Sequence, residues 1–134
     1  MAWTYTPRVS IETAAPQAGF GWGPLAAFHY FLAAEEGFDL SRMHAFGGDR
    51  PWDSIETPLR LLFDLDYING DHPTSGYPLV ARRLREIDRQ WSAGTFAGDS
   101  PRFNWCREQI TAELKQLVHV VDECIRTGTR IAVH

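Results

Sequence analysis

The sequence predicts a mainly α fold: a compact single-domain bundle of about four helices, with a short β-element made by an N-terminal arm and the C-terminal tail. Three observations carry this expectation. The 134 residues match the length of one domain, and 44% of them are hydrophobic, enough to fill a core. Apolar residues recur in steps of three and four through two long stretches, the signature of amphipathic helices. Both ends of the chain lack that period. The organisation expected is one domain over 1–134, made of an extended arm (1–23), a helical core (24–127) and a tail (128–134).

In the arm, Trp3, Tyr5, Val9 and Ile11 place aromatic and β-branched residues in alternation, and Pro16, Gly19 and Gly21 supply a turn after them. From Pro24 the spacing of Leu25, Phe28 and Leu32 is helical, and Gly37 stands where a helix would end. Asp39 or Ser41 can cap a short turn through Met43, before Gly47 and Gly48 break the chain. Asp53 with Glu56 three residues on resembles a capping box, and predicts a second helix through Phe63 that buries Ile55, Leu59 and Leu62. A polar turn follows from Asp64 to Pro73.

Tyr77, Val80, Leu84, Ile87 and Trp91 then mark a third helix, with Thr74 as its expected cap so that Pro78 falls where no amide partner is lost. Its other face carries Arg82, Arg83, Arg85 and Arg89, with Arg82 and Glu86 spaced to pair. After a Gly/Ser linker, Ser100-Pro101 opens the last helix. Its seam runs through Phe103, Cys106, Ile110, Leu114, Leu117, Val121 and Cys124, and Arg126 and Gly128 close it. Residues Arg130–His134 are expected to form a closing strand against the arm.

Net charge is −4, so there is no overall positive field for nucleic acid or an anionic membrane. No apolar run approaches the roughly 20 residues that span a bilayer, and Met1–Ser10 has no charged start leading into an apolar stretch. The expectation is a cytoplasmic protein. Its two cysteines, Cys106 and Cys124, are eighteen residues apart on one predicted helix. That puts them about 27 Å apart along its axis, too far to bridge. They read as buried, reduced thiols.

Two clusters could bind something. The first is the turn holding Asp64, Asp66, Asn69, Asp71 and His72, a set of oxygen donors of the kind hard cations take. It has the wrong register for an EF-hand: with Asp64 as position 1, Ile68 occupies 5, Asn69 occupies 6 and Ser75 occupies 12. The simpler expectation is a turn in which Asp and Asn cap backbone groups and Gly70 adopts positive φ. No metal or cofactor is assigned. The second cluster is the arginine face, represented by Arg82, Arg85 and Arg89, which suits an acidic protein patch. Interleaved Glu86 and Asp88 weaken it as a nucleic-acid surface.

His119 and Glu123 lie off the apolar seam and are expected in solvent. Gly19-Phe20-Gly21-Trp22-Gly23 lacks the Lys and Ser/Thr of a phosphate loop, and its aromatics are expected to pin the arm onto the first helix. Five Trp, eight Phe and four Tyr are many for a small core, and aromatic residues are also enriched at interfaces. No nucleophile, base and acid set is evident, so no catalytic residue is assigned.

The run Pro58-Leu59-Arg60-Leu61-Leu62, an Asp/Asn/Gly turn, and Val80-Ala81-Arg82-Arg83-Leu84-Arg85-Glu86-Ile87 with Trp91 resembles a group of small uncharacterised bacterial and phage proteins. In that group a Ser-Asp-Cys-Asp-Gly turn leads into an Arg-Leu-Arg-Glu helix, and a final helix ends near a Gly before a short apolar tail. The outline covers residues 25–133, with motif-like detail only in the middle third. At the turn this chain departs, reading Asp66-Tyr67-Ile68-Asn69-Gly70-Asp71. The resemblance implies a compact cytoplasmic accessory protein and no particular chemistry.

Two function classes follow. One is a noncatalytic protein-interaction module of immunity or inhibitor type, with a protein partner and no nucleic acid or membrane. The other is a small metal-dependent enzyme or ligand-binding protein that uses the acidic turn at 64–72.

Overall fold

In a computed structural model that describes residues 3–8 and 16–134, the chain ends meet in a small antiparallel sheet and the helices pack on one side of it. Strand β1 (Trp3–Pro7) is central, flanked by β2 (Ala18–Phe20) and β3 (Ile131–Val133). Tyr5 pairs with Ala18 on one side and Val133 on the other. The alternation of Trp3, Tyr5 and Pro7 inward is that of a strand buried on one face. The arm and tail therefore form the expected β-element; Val9 and Ile11 lie outside the described residues.

Helix α1 (Trp22–Glu36) starts two residues before the expected boundary, taking Trp22 and Gly23 out of the arm. It stops at Gly37, whose φ of +76° lets its amide and that of Phe38 donate to the carbonyls of Ala34 and Ala33. Phe20 stacks on Phe28 at 4.2 Å between ring centroids, so the arm is pinned to α1 as its aromatics suggested.

The second helix expected over 53–63 is not formed. Only short 3₁₀ turns occur there, Trp52–Ser54 and Arg60–Leu62, separated by extended backbone at Ile55 and by Pro58. Proline lacks the N–H that a helix interior requires. Ile55 is only half-buried, although Leu59 and Leu62 are fully buried. The second helix lies instead in the segment expected to be a turn: α2 (Leu65–Asn69), capped by Asp64, whose carboxylate accepts from the Tyr67 amide.

Helix α3 (Tyr77–Ser92) has Gly76, not Thr74, at its N-cap, with Pro78 in the first turn. Helix α4 (Arg107–Thr127) begins seven residues after Ser100; Asn104–Cys106 form a 3₁₀ turn before it, so the seam from Phe103 onward is not one continuous α-helix. Gly128 closes α4 at φ +66°. Helices α3 and α4 lie along each other, with Leu84, Ile87, Leu114, Leu117 and Val121 buried. Ion pairs Lys115–Asp88 and Arg85–Asp122 bridge these two helices. Cys106 and Cys124 are both buried and free. Burial pushes the Cys124 thiol up to about 11, which keeps it protonated. Among the described residues, no helix is long and apolar enough to cross a membrane.

Candidate binding cleft

The acidic turn does not converge on a common point. Asp64 caps α2 and is bound by Arg60 at 3.3 Å. Asp66 and Asn69 are exposed on α2, and Asp71 is almost fully exposed, 3.9 Å from Arg130. His72 points the other way, into the core. Its Nδ1–H donates to the Tyr67 carbonyl, and its Nε2 accepts from the Tyr77 hydroxyl, which itself accepts from the Ile131 amide. The Tyr67 carbonyl fixes the tautomer, because it can only accept: the proton lies on Nδ1, and Nε2 takes the proton of the Tyr77 hydroxyl.

Positive charge at this turn comes from arginines. Arg8 donates to the Ile68 and Gly70 carbonyls at 2.8 and 3.1 Å, and Arg130 donates to the His72 carbonyl at 2.9 Å. Burial, opposed by backbone hydrogen bonding and reinforced by these guanidinium groups, holds His72 below the usual histidine range. Gly70 has φ −89°, not the positive value expected. Among the described residues, no three His, Cys, Asp or Glu side chains are grouped to hold a metal ion.

The arginine face is divided among three environments. Arg85 is paired with Asp122, while Arg82 and Arg89 are exposed. The pairing expected between Arg82 and Glu86 is made by Arg83 instead, which also reaches Glu36 of α1 at 2.8 Å and the Glu35 carbonyl at 3.1 Å. Arg83 thus ties α3 to the end of α1. His119 is exposed, and Glu123 pairs with Arg126.

A concave feature lies elsewhere, along α1. It is a cleft of about 930 Å³. Trp22, Ala26, Tyr30, Ala33 and Ala34 line it from α1; Phe38 to Ser41 and His44 to Phe46 line it from the following loop; Trp3, Trp52, Phe63 and Phe103 add rings from four other segments. The reason is visible in α1 itself. From Trp22 to Ala34 it carries no charged residue, so it is apolar all round, yet the fold covers only part of it.

The loop that walls the cleft is tightly constrained. Met43 bridges Arg50, His44 bridges Gly48, and the Trp52 indole donates to the His44 carbonyl at 3.1 Å. Gly48 allows this closure, since a Cβ there would lie 2.1 Å from the Arg42 carbonyl oxygen. Trp52 stacks on Phe63 at 5.3 Å, and Phe46 meets both edge-on.

His29 is the buried polar residue of the cleft lining, only 2% exposed. Its ring sits among Trp3, Phe28, Phe46 and Phe63, with centroids 4.8 to 5.9 Å away. Nε2–H donates to the Leu62 carbonyl at 3.1 Å, and the same oxygen accepts from the Tyr5 hydroxyl at 2.7 Å. Since a carbonyl cannot donate, the proton is on Nε2 and Nδ1 carries a lone pair. Nδ1 has no hydrogen-bond partner among the described residues. Burial lowers the His29 pKa to about 4, only partly offset by the bond to Leu62, so the ring is neutral at pH 7.

Trp22, in the cleft lining, is 72% exposed, and Trp105, outside that lining, is 67% exposed. Trp105 lies over the first turn of α1, where a Cβ on Gly23 would meet its ring at 3.3 Å. Arg102 lies 5.0 Å above the Phe103 ring on the same side. None of Trp22, His29, Arg102 or Trp105 was marked as a site residue by sequence reasoning. The available signal was the uncharged run of α1, which reads as an ordinary buried helix until the uncovered face is seen.

Comparison of the chain with protein-family models, with curated proteins and with solved structures finds no match. The likeness noted for residues 58–91 therefore lends no function, and the site must be read from its own chemistry.

Proposed function

We propose that this chain is a noncatalytic protein-interaction module that binds its partner through the cleft along α1. The observation that carries this reading is an uncovered apolar cleft lined by exposed Trp22 and by Arg102, with exposed Trp105 beside the first turn of α1. Trp and Arg dominate the energetics of protein interfaces, above all beside desolvated pockets. The cleft's ionisable groups are not arranged as a nucleophile with its base, and His29, neutral and held by Leu62, is placed to bind rather than to shuttle protons. An immunity or inhibitor role is consistent with this mode, since occluding a partner needs only a complementary surface.

The test is capture of a stoichiometric partner from the native cell by three forms of the chain. The unmodified protein and Arg89→Glu should retain it. Ala26→Arg, which places a cation in the cleft lining at an exposed helical position, should lose it. Retention by Ala26→Arg together with loss by Arg89→Glu would move the interface to the arginine face and overturn the reading.

A further inference from the structure

The chemistry of the cleft narrows what enters it, on the premise that the cleft is the binding face. Its walls are rings and alanine methyls, so an aromatic group gains edge and face contacts there. Within this lining, the Nδ1 atom of His29 offers an acceptor with no partner among the described residues, on a side chain that is nine-tenths or more buried. An apolar occupant would leave that lone pair without water or a donor, and a buried polar atom left unmatched weakens binding. The complement is therefore an aromatic ring that carries an N–H or O–H.

Charge adds a second constraint. Asp39, Asp64 and Asp66 line the cleft against Arg102 alone. Asp64 is engaged by Arg60, while Asp39 and Asp66 have no ion-pair partner among the described residues. The rim is thus net acidic and favours a basic neighbour on whatever carries the ring.

We propose that the cleft receives a tryptophan or tyrosine side chain of a partner protein, flanked by lysine or arginine, with the ring N–H or O–H donating to Nδ1 of His29 and the flanking cations facing Asp39 and Asp66. A side chain rather than a free aromatic molecule is the occupant because the acidic rim at Asp39 and Asp66 leaves charge for the residues on either side of the ring to meet. Exposed Trp22 in its lining and exposed Trp105 beside the first turn of α1 extend the contact beyond the pocket.

Calorimetric titration with short peptides tests this. Acetyl-Lys-Trp-Lys-amide should bind, and the same peptide with 1-methyltryptophan, which keeps the ring but lacks the donor, should bind about tenfold more weakly. Acetyl-Glu-Trp-Glu-amide should also bind at least tenfold more weakly, and the preference for Lys flanks should shrink at high salt. In His29→Phe, checked by circular dichroism and melting to be folded, the discrimination against 1-methyltryptophan should vanish. Equal affinity for the methylated peptide in the unmodified protein, a measurement that needs no variant, would overturn the hydrogen bond to His29. Equal affinity for the Glu-flanked peptide would overturn the basic partner. The neutral dye Nile red, which carries no N–H or O–H donor, separates the two levels of inference. Dye bound by the unmodified protein and lost in Ala26→Arg, with no peptide binding at millimolar concentration, overturns the aromatic-donor proposal and leaves the cleft as the binding face. Absence of both dye and peptide binding overturns the two together.

Discussion

At the scale of single residues, His29 shows how burial and one hydrogen bond set a protonation state. Its ring is enclosed by aromatic neighbours, and its one bonded nitrogen must be the donor because Leu62 offers only oxygen. In the unfolded chain the same imidazole takes up a proton near its ordinary value of 6.5, whereas in the folded protein it does so only near 4. Between these values the unfolded state binds more protons, so stability falls as pH drops from about 6.5 and levels off below about 4. The loss attributable to His29 is about 3 kcal/mol. His72, displaced in the same direction, adds to the slope. Urea denaturation at pH 7 and at pH 4.5 should show the decline, and His29→Phe should flatten much of it while His72 retains the rest. The presence of a histidine at position 29 was plain in the sequence. Its neutrality was not, because that depends on Trp3, Phe46 and Phe63, which come from three other segments.

At the scale of elements, legibility followed length and period. Helices α3 and α4 were readable because their apolar residues repeat over four or more turns, so that position alone identifies the buried face. The segment 53–63 offered a cap-like pair and three apolar residues in helical spacing, but Pro58 divides it and each part settles into a single 3₁₀ turn. Helix α2 has only five residues, too short for a period to show. Its stability rests on Asp64 at one end and, at the other, on Arg8, the residue after β1, reaching the Ile68 and Gly70 carbonyls, a contact no local pattern encodes. The next turn depends on a similar long-range link, in which the Tyr77 hydroxyl joins His72 to the backbone of β3. Tyr77→Phe keeps the ring and removes that link, leaving the His72 Nε2 and the Ile131 N–H without their partner. We expect a loss of about 2 kcal/mol, read from the shift in urea midpoint at unchanged slope.

At the scale of the whole molecule, the sheet unites elements from opposite ends of the sequence against one helical layer. The pairing of arm and tail was legible from their composition, but the cleft was not. An all-apolar helix is ordinarily a buried one, and only the assembled fold reveals which stretch of α1 its neighbours fail to reach. Ile131, fully buried where β3 joins β1 and α2, is a measure of how firmly the sheet is closed. Ile131→Ala should cost about 2–4 kcal/mol of global stability by chemical denaturation, with a cooperative transition retained.

The order β2-β1-β3 also bears on how the protein is made. The middle strand is synthesised first, yet one of its two edges stays unfilled until the residues beyond α4 have left the ribosome, since Tyr5 must wait for Val133. Throughout that interval a nascent chain displays an open β edge beside an apolar helix, the combination that invites self-association.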